Sequence, residues 1–393
     1  MAIEQLVDAV KAAAAAQRTL RIVGADSKAF YGNATEGDAL ETRSHHGIAA
    51  YEPTELVITA RCGTPLADVE KALAESGQIL PFEPPYFGGS AQTKPPYFGG
   101  SAQTKPPHDG GSAQTKAPYF SGNATFGGAI ASGLSGPRRA ANNGYYGAVR
   151  DYVLGCKIID GKGDVLTFGG QVMKNVAGYD VSRLMAGSMG TLGVILEVSL
   201  KVLPAPVASR TLRLGMRDQG AVINKLNEWG GLPLPITATA YHEADVTVRL
   251  EGAEAAVNSA AKQLGGEAVD AAQAAAFWRG LRDQTDAFFN GPEPLWRLSV
   301  PSTTVPLDLP GPQLIEWGGA LRWLKTDAPF EAVRILARQV GGHATLFRAD
   351  EARKREAGVF TPLDPALARI HNNLKSTFDP HGIFNRGRLY PDY

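Results

Sequence analysis

Residues 174–204 read KNVAGYDVSRLMAGSMGTLGVILEVSLKVLP. Their second half holds the clearest strand of the chain. Val194, Leu196, Val198, Leu200 and Val202 share one face while Glu197, Ser199 and Lys201 share the other, the two-residue period of a strand on a core. Gly187, Gly190 and Gly193 lead directly into it. A Rossmann fingerprint places G-x-G-x-x-G between a strand and a helix, so glycines with another spacing that open a strand belong to a different device. The P-loop fails as well: Gly155 lies one residue too far from Gly161 and Lys162, and Gly163 stands where Ser or Thr would bind magnesium. Nicotinamide-dependent and NTPase chemistries lose their usual phosphate motifs.

Outward from that strand, residues 1–205 repeat one theme, a strand followed by glycine. TLRIVGADSKAFYG (19–32) is a β run ending in glycine, and CKIIDGKGDVLTFGG (156–170) is two β runs around a turn, hence a hairpin. ELVITARCGTPLADVEKALAESG (55–77) is a strand feeding a helix, with Thr64 suited to the N-cap and Pro65 to the first helical position. Past LPAPVAS (203–209) glycine clusters thin out. Strands and helices then alternate as two α+β units through HATLFRA (343–349), the pattern of an antiparallel sheet with helices on one face. The last segment begins as a helix and ends in Pro- and Gly-marked loops.

The chain has 393 residues, 44% of them hydrophobic, and 39 Lys plus Arg balance 39 Asp plus Glu. Its length suits two domains, and balanced charge gives no footprint for nucleic acid. No apolar run reaches the roughly 18 residues of a membrane span. The start, MAIEQLVDAVKAAAAAQ, carries Glu4 and Asp8 and reads as an Ala-rich helix, not a signal peptide. A cytoplasmic location is expected, with any membrane association made through partner subunits. Cys62 and Cys156 lie in apolar, strand-like sequence and read as two buried core thiols.

One stretch breaks the pattern. PPYFGGSAQTK (84–94) recurs unchanged at 95–105 and returns as PPHDGGSAQTK at 106–116, a period of eleven residues. A solenoid needs each unit to bury apolar surface on its neighbour, whereas these units are mostly Gly, Ser, Gln, Thr, Lys and Pro and cannot repay the entropy of ordering. Removing 84–116 joins Phe82 and Glu83 to a decayed fourth copy, APYFSGNATFGG (117–128). Tandem expansion of a surface loop accounts for this most simply, although its glycines and lysines also suit an anion.

Four glycine clusters fall within the first half: VGADSKAFYG (23–32), FGGAIASGLSGPRR (126–139), YGAVRDYVLG (146–155) and GSMGTLG (187–193). Any one is an ordinary turn. Four together suit a dinucleotide, whose pyrophosphate is met by backbone N–H groups at a range that side chains obstruct.

On these motifs, with YEPTELVITARCGTPLADVEKALAESGQILPFEPP upstream and LIEWGGALRWLK, GGHAT and DPHGIFNRGRLY downstream, the chain resembles the FAD-linked oxidase family. That family shares its flavin domain with p-cresol methylhydroxylase (PCMH) and vanillyl-alcohol oxidase. Within it, the match lies with the FAD-binding subunits of bacterial glycolate oxidases. The resemblance implies an α+β fold: a two-subdomain PCMH-type FAD-binding domain at 1–205, interrupted by the 84–116 repeat, an α+β cap domain with an antiparallel sheet at 206–370, and a segment at 371–393 returning to the flavin domain. It further implies that Gly24, Ala25, Asp26, Ser27, Lys28 and Gly32 form the pyrophosphate loop. Gly127, Gly128, Gly133 and Gly136 would line the other side of the cofactor, and Gly147, Arg150 and Asp151 would fix the next turn. Gly187, Thr191, Gly193 and Val194 would follow the ribityl and adenosine portion, and Asn385 would bring the C-terminus to the flavin. The first loop has no histidine for a covalent tether, so FAD is expected to bind noncovalently.

Oxidation of a small 2-hydroxy acid needs a cation for the carboxylate, a base and the flavin. Arg322 and Arg348 are cap candidates for the carboxylate, and His343 is the candidate base. Each also has an ordinary structural explanation, and no group of His, Cys and carboxylates has metal-ligand spacing. The resemblance departs here, because relatives that oxidise glycolate or D-lactate carry a cap motif of the form H-x-x-G-D-G-N-x-H that this sequence lacks. It thus implies a subunit working beside a catalytic flavoprotein subunit and an iron–sulfur subunit, since two cysteines cannot supply the four thiolates of a cluster. Three roles remain open: an FAD-binding glycolate oxidase subunit passing electrons to its partners and the respiratory chain, a non-catalytic scaffold in that complex, and a self-sufficient flavin oxidase of another 2-hydroxy acid. Excision of residues 84–116 is predicted to leave folding and flavin content intact, measured by circular dichroism and absorbance; loss of both refutes the insertion account.

Overall fold

The computed structural model describes residues 3–87, 124–139, 147–170, 180–391 and 393. The repeat beyond Phe87 lies outside them. The N-terminal half holds two α+β layers. In the first, strand Leu20–Val23 runs parallel to Asp38–Glu41. Helix Ile3–Ala15 covers the pair, sinking Leu6, Val10 and Ala13 into a common core. That spacing is one face of a helix, and full burial of a Leu or Val contributes roughly 2 kcal/mol. In the second layer, five antiparallel strands run in the order Ile48–Glu52, Val57–Arg61, Val194–Lys201, Val153–Ile159, Val165–Gly169. The predicted hairpin is the pair Val153–Ile159 and Val165–Gly169.

Val194–Lys201 is central, and its faces depart from simple alternation. Ile158 pairs with Ile195 but Lys157 pairs with Glu197, so one extra residue sits in the strand as a β-bulge. Val194 and Leu196, before the shift, join the core under the N-terminal helix. Val198 and Leu200, after it, join the core of the second layer with Phe126 and Ile130. The even-numbered side chains therefore switch from one core to the other across the bulge, while Ile195 already faces the second core. A second local difference concerns helix Leu66–Glu75, whose N-cap is Pro65. The Thr64 hydroxyl is engaged elsewhere, donating to the Arg61 carbonyl at 2.7 Å and accepting from Gly47 N–H at 2.9 Å.

The cap is an eight-stranded antiparallel sheet. Helices Gln219–Gly230, Glu254–Leu264 and Phe330–Gln339 pack on one face. Helix Ala271–Asp283, which the sequence reading omits, puts Trp278 and Leu281 on the other face, the one that meets Tyr31, Phe87 and Met189 of the flavin-type half. Strand parity assigns the cap arginines. Arg297 lies opposite Trp323, on the inward face, whereas Arg322 lies opposite Leu298, on the helix-covered face.

A buried ion cluster joins the two halves. Glu83, just before the repeat, accepts a bidentate pair of hydrogen bonds from Arg249 of the cap at 3.0 Å each, and one from the Arg138 backbone N–H at 2.8 Å. Arg138 also reaches Glu251 of the cap at 2.8 Å. Burial alone would raise the Glu83 carboxyl, but Arg249 and Arg138 hold it down at about 2. The start of the first repeat copy is seated beside this cluster: Tyr86 and Phe87 are buried, and the Tyr86 hydroxyl donates to Glu70 at 2.5 Å.

The C-terminus returns to the first layer. Helix Pro365–Phe378 ends at Asp379, whose carboxylate accepts from Ile383 and Phe384 N–H and from Lys375 Nζ at 2.8 Å. Phe384 then bridges Leu20, and Asn385 follows it in. The Asn385 amide donates to the Met189 carbonyl at 2.6 Å and accepts from Ile22 N–H at 2.9 Å.

Two predictions follow from these contacts. Glu83→Gln should cost about 3 kcal/mol at neutral pH, since losing one partner strands buried charge. Because the folded-state carboxyl is depressed, that contribution is complete above the ordinary 4.5 and is lost as pH falls towards about 2. Urea unfolding should show the wild-type advantage shrinking between pH 7 and pH 3; an unchanged gap contradicts the clamp. Asn385→Ala should strand the Ile22 donor and the Met189 acceptor, at about 1–3 kcal/mol each, and lower Tm by several degrees in a thermal scan.

Candidate cofactor site

A cavity of about 340 Å³ lies where the first strand, the glycine helix, the glycine turn and the C-terminus converge. Its floor is the loop after Val23. Gly24 is required there, since a Cβ would come within 2.6 Å of Thr125 Oγ1. Asp26 adopts the left-handed region at φ +58°, and the N–H groups of Ala25, Asp26, Ser27 and Lys28 donate no hydrogen bond among the described residues. A run of amides through a left-handed residue forms an anion-binding concavity. Gly32 closes the loop at φ +96°, against Met189 and Arg388.

Three cations line this cavity: Arg21, Lys28 and Arg388. Arg21 approaches Asp26 at 3.6 Å. Arg388 holds the loop's backbone, donating to the carbonyls of Lys28, Ala29 and Asn33 at about 3 Å. Burial lowers Lys28 to about 8, a shift that Asp283 partly offsets. From the cap, Glu351 lines the cavity and Lys354 donates to the Phe30 carbonyl. Donors, cations and four converging chain segments fit a pyrophosphate-bearing dinucleotide.

The structure brings Gly24, Ala25, Asp26, Ser27, Lys28, Gly32, Gly128 and Asn385 together around this cavity. It places the remaining predicted cofactor residues elsewhere. Gly127 packs on Cys62, Gly133 on Gly187, Gly136 on the Glu83 carbonyl and Gly193 on the Ile159 carbonyl. At Gly147 the Asp151 side chain crowds in, while Asp151 accepts from Ala148 N–H and Arg150 is exposed. Thr191 gives its carbonyl to Lys375, and Val194 is core. Arg21, Thr125, Met189, Glu351 and Arg388 line the cavity without having been predicted. Of these only Thr125 carried a signal, as a Thr before the glycine helix, where it caps Gly128 N–H at 3.2 Å.

The catalytic candidates are scattered. Arg322, fully buried, donates to the carbonyls of Gly319 and Thr304 at 2.7 Å on the helix-covered side of the cap. It thus lies on an interior strand of the sheet and is committed to backbone carbonyls. Arg348 stacks over Phe30 and Phe87 at 5.1 and 5.8 Å, beside the cofactor loop. His343 starts an edge strand and is exposed. Cys62 and Cys156 are free, buried thiols pushed up to about 12 by desolvation. No group of three His, Cys, Asp or Glu among the described residues is placed to hold a metal ion.

Comparison with known proteins agrees with this geometry. Residues 2–91 match the FAD binding domain family. The chain is 46% identical over 389 residues to "Glycolate oxidase subunit GlcE" of Escherichia coli (strain K12), covering 99% of this chain and 97% of that protein. "Glycolate oxidase subunit GlcD" of Bacillus subtilis (strain 168) is 42% identical over 89 residues, 23% of this chain and 18% of that one. Among solved structures, p-cresol methylhydroxylase with substrate bound superposes with a TM-score of 0.67 at 13% identity, over all of this chain and 88% of that one. Alkyldihydroxyacetonephosphate synthase gives 0.61 at 14%, over 97% and 74%. The fold is that of the PCMH-type flavoproteins, and the chain belongs to the GlcE family of glycolate oxidase subunits.

Proposed function

We infer that the chain is the FAD-binding subunit of a multisubunit glycolate oxidase, holding FAD noncovalently and working with a catalytic flavoprotein subunit and an iron–sulfur subunit. The observation that carries this is the run of unpaired amides at Ala25–Lys28, facing a cavity with three cationic side chains. Among the described residues lining that cavity there is no histidine to serve as a covalent tether. Bound there, FAD supplies the two-electron acceptor for conversion of glycolate to glyoxylate. The protein's own part is binding and orientation. The loop amides with Lys28 and Arg21 neutralise the diphosphate, and Arg388 and Asn385 keep the loop in register with the first strand. Iron–sulfur ligation falls to another chain, since both thiols here are buried. Among the described residues no helix is long and apolar enough to cross a membrane, so electrons reach the respiratory chain through the partners.

The direct test is the visible spectrum of the purified chain after addition of FAD, where absence of bound flavin contradicts the assignment. Lys28 adds a pH dependence with a defined sign. Burial holds its unliganded value at about 8, and a diphosphate favours the charged form, so affinity should fall as pH rises through 8. Titrated by flavin fluorescence, FAD should bind several-fold more weakly at pH 9 than at pH 7. Lys28→Met should bind more weakly at pH 7 and lose most of this slope.

A further inference from the structure

The helix-covered face of the cap holds two buried arginines that differ in one respect. Arg334, on helix Phe330–Gln339, is 2% exposed and gives Nη1 and Nη2 to the Ala357 and Gly358 carbonyls at 2.6 and 2.7 Å. It also has a counter-charge, since Glu331 lies 3.6 Å from Nη1. Arg322 is 0% exposed and gives Nε to the Gly319 carbonyl and Nη2 to that of Thr304. Its Nη1 is buried without a hydrogen bond. Burial lowers the group to about 10, and no carboxylate opposes that shift.

The strand register explains why no protein group reaches Nη1. Arg322 lies opposite Ile315 on one neighbouring strand and Leu298 on the other. Ile315 belongs to the apolar core under helices Gln219–Gly230 and Glu254–Leu264, and Leu298 to the core under helix Phe330–Gln339. The guanidinium therefore stands at the seam of two hydrophobic clusters. Two further N–H groups of this face, Trp296 Nε1 and Arg334 Nε, are also buried without acceptors. Trp296 is wholly buried on the strand beside Arg322, two residues before Leu298. All three groups are donors, so what this interior lacks is an acceptor.

A buried cation with no partner is among the costliest arrangements in a protein. A water molecule would accept from Nη1 but leave the charge unbalanced. An oxyanion would bring further oxygens that need donors of their own, and Leu298 and Ile315 supply none. A single-atom anion provides the acceptor and the opposite charge together.

We propose that Arg322 Nη1 holds a buried halide, chloride under ordinary conditions, as a structural ion at the seam between the two cores of the cap. The ion neutralises the guanidinium, whose other two nitrogens then pin the connection through Thr304 to the sheet. The site lies on the face turned away from the flavin-type half and stands independently of the functional assignment. The test is thermal unfolding of the full-length chain, dialysed free of halide, at constant ionic strength. Sodium methanesulfonate is replaced stepwise by sodium chloride, from about 1 to about 100 mM. An ion that binds only the folded chain stabilises it, so Tm should climb by several degrees and level off, with bromide acting alike. Arg322→Met should give the same Tm in both salts. Should that variant fail to fold, crystals grown from protein purified in bromide decide, and an anomalous peak should stand beside Arg322 Nη1. Equal wild-type Tm in the two salts, an equal rise in Arg322→Met, or a water in place of bromide at Nη1 overturns the site.

Discussion

The cofactor half depends on one side chain that joins three segments far apart in sequence. Asn385 holds the amide of Ile22 and the carbonyl of Met189, and so fixes the first strand, the glycine turn and the C-terminus at one point. Gly190 has to be glycine there, because a Cβ would stand 2.6 Å from the Asn385 amide nitrogen. Lys375 and Asp379 extend the constraint, tying the Thr191 and Phe384 carbonyls to the end of the last helix. The chain leaves the flavin-type half near Pro204 and re-enters it near Pro365, so the cap is an excursion with both ends secured. The loop after Val23 then inherits its shape from the far end of the sequence, through Arg388.

Cap and flavin-type half meet through two kinds of contact, and the difference between them matters. Glu83, Arg138, Arg249 and Glu251 pair with one another across the boundary and fix how the halves sit together. Such a cluster adds little net stability over an apolar packing but makes alternative docking costly. Around it, Phe30 meets Phe87 and Phe347 edge-to-face, and Tyr31 packs tilted against Phe347. Arg297 stands outside this pairing on the same face.

Much of the architecture was legible because it follows from alternation and turn chemistry. The rhythm of strand and glycine marked the first half, and the change after residue 205 marked the antiparallel cap. Glycines were harder to interpret. A glycine reports that something approaches closely, but not whether a cavity lies beside it: Gly24 and Gly32 are crowded by Thr125, Met189 and Arg388 and line the cavity, while Gly127, Gly133 and Gly193 are crowded just as closely and do not. Parity explains the arginines in the same way. Arg322 and Arg297 sit on adjacent strands with similar apolar flanks, and only the pairing register, a long-range property, separates the inward face from the covered one. The contributions of Glu351 and Arg388 to the cavity likewise required the tertiary fold.

The bulge at Leu196 has a consequence for the modularity of the protein. Because one strand contributes side chains to both hydrophobic interiors, neither α+β layer is a portable unit. A cut or insertion within it would open both interiors together. Evolution can therefore lengthen the connections of this scaffold far more readily than it can divide the scaffold into separately inherited pieces.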